Sequence, residues 1–358
     1  MNNITGIRRE LIARGLDAVL VTDEKNQRYA TGFPITDGAV LVGRERAFLI
    51  TDSRYIEAAE AAVGREVEVR LFDRTANLSA KLREAVKEIG AEKIAAEDAK
   101  LSHAGWLNWE KQLETELLPA GTLFETLRAV KSEEEIASMI AAQRISEQAL
   151  EEVLQIIKPG MTEREVAAEL VYRMLRHGSE GNSFDPIVVT GAKTSMPHGV
   201  PGDKVIREGD FVTMDFGCLK DGYCSDMTRT VAVGRASDEM KNVYALVLRA
   251  QLAGIAAARA GVIGKEIDAA ARRVIADAGY GEYFGHGFGH CLGLDIHEPP
   301  TAGPAGELPL PEGSVSSAEP GVYLPGKFGV RIEDVMIIRA DHAEVITRAP
   351  KDELIILA

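Results

Sequence analysis

Cysteine is scarce: Cys218, Cys224 and Cys291 are the only three in 358 residues. So small and odd a number excludes a disulfide framework, and the spacing fits no zinc signature. The three thiols are therefore expected to be reduced and structural. Basic residues are also in deficit, with 41 Lys and Arg against 55 Asp and Glu and a net charge of −14. Without a basic field to attract phosphate, non-specific binding of nucleic acid or of an anionic membrane is disfavoured. No apolar run approaches the roughly 20 residues of a membrane span. The first residues scatter charges where a signal peptide needs an apolar stretch, so a cytoplasmic location is expected.

What remains is 46% hydrophobic and 27% charged, a globular composition with length enough for two domains and full cores. The spacing predicts a helix over 4–14, with Ile4, Ile7, Leu11 and Ile12 on one stripe, then a buried strand over 17–21. Short apolar runs at 38–42, 47–51 and 67–72 read as strands, and 78–89 and 102–113 as helices. This is an α/β domain without a catalytic cluster; His103, alone on a helix, reads as a packing or surface residue. A capping box at Ser132 to Glu135 opens a long helix closing at Lys158-Pro159-Gly160, and a second at Thr162 to Glu165 opens a helix ending at Gly178. The expected domains are 1–125 and 126–358.

Between Phe211 and Val233, β-branched and aromatic residues flank Asp221-Gly222, the chemistry of a two-residue hairpin turn. That turn pairs Lys220 with Tyr223 and sets Asp226 opposite Gly217, diagonal to Asp215 and on the same face. Two converging carboxylates repel unless a proton or a metal lies between them; the bland reading is a solvated sheet face. An internal repeat speaks for the metal. Residues 158–166 run parallel to 259–267, and the helices that follow reach Gly178 and Gly279 at the same offset. The stretch 208–217 then aligns with 312–321, making Asp215 and Glu319 equivalent in two half-domains related by a pseudo-two-fold. In the second half Glu319 and Glu333 flank a turn-rich stretch, as Asp215 and Asp226 do in the first, and three of the seven histidines, His286, His290 and His297, lie close by in sequence. Four carboxylates and a histidine would hold two divalent ions about 3.5–4 Å apart.

The stretches at 197–204 (PHGVPGDK), 214–217 (MDFG), 222–231 (GYCSDMTRTV), 286–300 (HGFGHCLGLDIHEPP), 319–323 (EPGVY) and 329–334 (GVRIED) resemble the successive signatures of the pita-bread metallopeptidases. Residues 26–33 and 50–55 resemble the creatinase-type domain of their Xaa-Pro branch. The resemblance implies a creatinase-like α/β domain followed by a pseudo-two-fold pita-bread catalytic domain. It implies that Asp215 chelates one metal, that Asp226 and Glu333 bridge both, and that His290 and Glu319 complete the other. Carboxylate oxygens suit hard ions, Mn²⁺ first, with Co²⁺, Zn²⁺ or Fe²⁺ as alternatives. Two such ions would turn a bridging water into hydroxide, with Glu319 taking its proton. His198 and His297 match histidines that polarise the carbonyl, stabilise the oxyanion or pass a proton to the leaving amine. His286 resembles a substrate-pocket residue, and Arg331 is left between orienting Glu333 and meeting a substrate carboxylate. Cys291 stands where glycine is frequent, and Ser316-Ser317-Ala318 where bulkier residues are common.

The activity implied is an exopeptidase of the Xaa-Pro aminopeptidase type acting on short proline peptides. The alternative is an Xaa-Pro dipeptidase (prolidase), and behind both stands a metal-free creatinase-like hydrolase or a binding module. The N-terminal domain implies a homodimer.

Overall fold

The computed structural model describes residues 2–358, which divide into two compact units, the first ending at Arg128 and the second running from Ala129 to Ala358. The division falls in the last turn of the helix Leu123–Ala129, a little beyond the 125/126 boundary expected from sequence.

The first unit is a six-stranded sheet in the order Glu68–Leu71, Ala47–Thr51, Gly38–Gly43, Ala18–Val21, Ile94–Ala96, Leu117–Pro119. Gly38–Gly43 runs antiparallel to both neighbours, while the outer pairings are parallel. The stripe of the helix Ile4–Arg14 is narrower than expected: Ile4, Ile7 and Leu11 are buried, but Ile12 is 63% exposed. The helices Glu24–Thr31 and Ile56–Ala62 and the last two strands are elements the sequence reading did not place.

In the second unit both capping boxes form, at Ser132 with Glu135 and at Thr162 with Glu165. The first helix stops at Leu154, short of the Pro159-Gly160 breaker. The internal repeat reappears as matched backbone hydrogen bonds. Gly160 N donates to Ile206 O as Gly261 N does to Leu310 O, Ile206 N to Met161 O as Leu310 N to Val262 O, and Arg164 N to Gly202 O as Lys265 N to Gly306 O. Each half has its own apolar core, one around Val166, Leu170, Met214 and Val231, the other around Ile267, Ala271, Val322 and Met336.

The hairpin of the first half has the expected register, Lys220 against Tyr223 and, further down, Thr228 against Asp215. Asp221 and Gly222 both take left-handed φ, 52° and 79°, as a turn matching strand twist requires. At Gly217 a Cβ would lie 1.9 Å from Ser225 O, so only glycine lets the strands cross beside Asp226. The second half repeats the scheme: Val315–Ala318 pairs with Asp334–Ile338, and Gly321–Leu324 with Phe328–Arg331. Asp215 is thus near the end of one strand and Glu319 just past another, while Asp226 and Glu333 immediately precede the return strands. Among the described residues, no helix is long and apolar enough to cross a membrane.

Candidate active site

Both hairpins open onto one cavity of about 500 Å³ in the second unit. Asp215, Asp226, His290, Glu319 and Glu333 line it, together with His198, His286, His297 and Arg331, so every sequence-derived site residue lies on its wall. Asp226, His290 and Glu333 each offer an atom within 4.8 Å of the others.

The halves are tied together at the floor. Thr228, opposite Asp215 in its own sheet, donates its hydroxyl to Glu333 Oε2 at 2.7 Å, and Glu333 N donates to Thr228 O at 3.1 Å. Arg331 Nε donates to the same hydroxyl at 3.1 Å, and Arg331 Nη2 reaches Asp215 Oδ2 at 2.6 Å. Of the two roles considered for Arg331, the geometry favours orientation, but of Asp215 and not of Glu333. Its Nη1 is taken up by Tyr323 Oη at 2.8 Å and Pro197 O at 3.3 Å.

The electrostatics of this wall are those of a site built around positive charge. His290 Nδ1 faces Cys291 O at 3.2 Å, which assigns the ring proton to Nδ1. The lone pair on Nε2 then points at Glu319 Oε1, 3.4 Å away, and Asp226 Oδ2, 3.6 Å away. Burial lowers the His290 pKa, so the imidazole is not itself the missing cation. Burial also pushes Asp226 and Glu333 well above the usual carboxylate range, and the charges of the neighbouring acids push further. Glu319, with 18% of its side chain exposed to the cavity, rises to about 7, chiefly by burial. Asp215 Oδ1 and Asp226 Oδ1 are buried without a hydrogen-bond partner among the described residues. Orphaned acid oxygens on the cavity wall and an imidazole lone pair that faces two carboxylates are a hard, mixed O/N donor set, and they fit divalent ions.

The other histidines sit around this centre. His286 Nδ1 donates to Gly287 O and Nε2 accepts from Tyr323 Oη, both at 2.8 Å; its pKa falls to about 4, by burial and then by Arg331, so the ring is neutral. His297, exposed at the rim, packs against the His290 ring with centroids 4.3 Å apart, and enclosure lowers its pKa. His198, also exposed, stands on the loop after the strand Ile187–Thr190. Thr228 escaped sequence reading, although its place opposite Asp215 in the hairpin register was available as a signal. Cys291 is fully buried beneath the site, its pKa raised by burial to about 11, and so is a packing thiol.

The profile of metallopeptidase family M24 matches residues 137–340, and that of the creatinase/prolidase N-terminal domain matches residues 4–130. An uncharacterised peptidase of Bacillus subtilis, YqhT, is 41% identical over 345 residues, 96% of each chain. Among solved structures, an Xaa-Pro dipeptidase from Bacillus anthracis matches with a TM-score of 0.94 at 42% identity, covering 99% of both chains. An X-Pro aminopeptidase from Thermotoga maritima matches with a TM-score of 0.92 at 36% identity, covering 97% of this chain and 99% of that one. With both profiles matched in order and a cavity lined by hard donors, the chain belongs to metallopeptidase family M24, in its branch with a creatinase/prolidase N-terminal domain, and is a metal-dependent peptidase.

Proposed function

We propose that this enzyme removes the residue preceding proline from the N-terminus of short peptides, as an Xaa-Pro aminopeptidase and not as a strict dipeptidase. The observation that carries the choice is the commitment of Arg331. A dipeptidase has to hold the free carboxylate of the proline, and that calls for a cation in the pocket. Arg331 is the only Arg or Lys among the described residues lining the cavity, and its guanidinium already serves Asp215, Thr228, Tyr323 and Pro197. The lining histidines His286 and His297 have lowered pKa values and add no charge at neutral pH. A substrate that continues beyond proline brings no carboxylate to this place.

The wall also suits proline itself. The scissile bond has no N–H, so recognition falls to shape. Phe184, Ile187, Ile296 and Pro304 supply an apolar surface for the pyrrolidine ring.

In this reading Asp226 and Glu333 would hold two divalent ions, Mn²⁺ first, with Asp215 completing one and His290 and Glu319 the other. When bound, the ions would lower the pKa of a water and supply the nucleophile. Glu319 would receive its proton and return it to the proline nitrogen as the C–N bond breaks. His198 and His297, at the rim, would donate to the oxyanion formed from the scissile carbonyl and so stabilise it. Arg331 holds the Asp215 carboxylate and Thr228 that of Glu333, so the acids are oriented before substrate arrives. A homodimer in the cytoplasm completes the reading, and light scattering on the purified protein tests the assembly.

The deciding experiment compares Ala-Pro, Ala-Pro-amide and Ala-Pro-Gly with Mn²⁺-loaded enzyme. Higher kcat/KM on the amide and the tripeptide than on Ala-Pro is expected, and cleavage confined to Ala-Pro would overturn the preference.

A further inference from the structure

The loop that carries His198 has little packing to hold it. Met196 is 57% exposed and Val200 77% exposed, so the apolar side chains two positions to either side of the histidine are mostly left to solvent. Apart from Arg331 Nη1 on Pro197 O, the loop is fixed chiefly through one carboxylate behind it. Glu163, in the first turn of the helix Glu163–Arg176, has no exposed side-chain surface. Its Oε1 accepts from Thr190 N at 2.9 Å, and its Oε2 accepts from Gly202 N at 3.0 Å and Lys193 Nζ at 2.5 Å. Lys193 Nζ also donates to Val200 O at 2.6 Å. These contacts grip the chain on both sides of His198. They also press it against the strand below, where a Cβ on Gly199 would come within 2.6 Å of Val189 Cγ1.

We propose that Glu163, acting with Lys193, is the positioning residue for His198, setting where the imidazole stands over the cavity without touching substrate. The proposal rests on the role given to His198 above. A buried carboxylate is costly unless every lone pair meets a donor, and here the donors are the loop itself. Replacing one oxygen by an amide sets an N–H against a backbone N–H or the Lys193 ammonium and removes the ion pair. The tether that then remains beside His198 is Arg331 Nη1 to Pro197 O at 3.3 Å, longer than any of the contacts made by Glu163 and Lys193. A misplaced donor weakens the transition state and leaves ground-state binding little changed.

The test is a double-mutant cycle on the Mn²⁺-loaded enzyme with Ala-Pro-Gly. E163Q is expected to lower kcat on the order of 10-fold or more, within the range typical of groups that orient catalytic residues, with KM nearly unchanged. In an H198A background the same substitution is expected to cost nothing further, because the group it positions is gone. K193M, which removes the other member of the pair from its partly exposed side and is checked for a native circular-dichroism spectrum, should behave in the same way. If E163Q and K193M lower the activity of H198A by the factor they impose on the parent enzyme, Glu163 acts on folding or on the site at large and the proposal fails. Unchanged activity of E163Q also overturns it. H198A with full activity sinks the role of His198 itself, a result separable from the other two because it appears in the single variant.

Discussion

At the scale of the residue, the decisive atom is one without charge. The Thr228 hydroxyl has a single proton and spends it on Glu333 Oε2, while its lone pairs receive Arg331 Nε. It thereby links an acid of the second half to the guanidinium that holds an acid of the first. Valine has nearly the same shape and neither polar function. T228V should leave a buried carboxylate oxygen without its donor, at a cost of about 1–3 kcal/mol. Because Glu333 also loses its orientation, Mn²⁺ affinity measured by titration calorimetry should fall roughly 10–100-fold, as when outer-shell partners of metal ligands are removed. Unchanged affinity would mean that Thr228 only fills space.

At the scale of the element, the site depends on keeping two strands from different sheets side by side. Arg229, on the strand Met227–Val233, is 1% exposed and donates to Glu333 O at 2.6 Å, Asp334 Oδ1 at 2.8 Å, Ala349 O at 2.7 Å and Pro350 O at 3.2 Å. R229M keeps the bulk but strands those carbonyls and leaves Asp334 with Lys351 as its remaining cation. Urea unfolding should register a loss of about 3–5 kcal/mol, the usual cost of breaking a buried pair from one side. A loss near zero would show that water re-solvates the groups. Such cross-links explain what the sequence could and could not reveal. The hairpin at Asp221-Gly222 was legible because turn chemistry fixes register, and register fixes which acids share a face. The capped helices were legible because a Ser or Thr and a Glu three positions on satisfy each other locally. Glu24–Thr31 was not, since its capping by Asp23 stands alone and its burial depends on distant contacts such as Asn26 with Glu97. Arg229 and Glu163 were illegible for the same reason, because their partners lie far away in sequence; for Thr228 the hairpin register gave the place opposite Asp215 but not the pairing with Glu333.

At the scale of the molecule, duplication brings acids together that would otherwise repel. Each half folds around its own core and contributes a carboxylate at the end of one strand and another before the return strand, so the acids meet where the halves face one another. The cost falls on the metal-free protein. Glu319 moves from an ordinary value of 4.5 to about 7, and Asp226 and Glu333 are raised as well, so the native state binds more protons than the unfolded chain. For acids raised in the folded state, the sign is that stability is greatest below the unfolded pKa and falls as pH climbs toward the folded one. Glu319 should therefore make the metal-free enzyme lose stability between about pH 4.5 and 7, and Asp226 and Glu333 should add to the loss in the same direction until each is ionised in the folded state. Divalent ions reverse this, because they take the place of the protons. Binding of Mn²⁺ at pH 6 should release protons, seen as a heat that changes with the ionisation enthalpy of the buffer, and the release should diminish above pH 7 as Glu319 is already ionised. The same ions should raise the melting temperature more at pH 7 than at pH 5. If metal binding released no protons at pH 6, the acids would already be ionised and the account of their burial would be wrong.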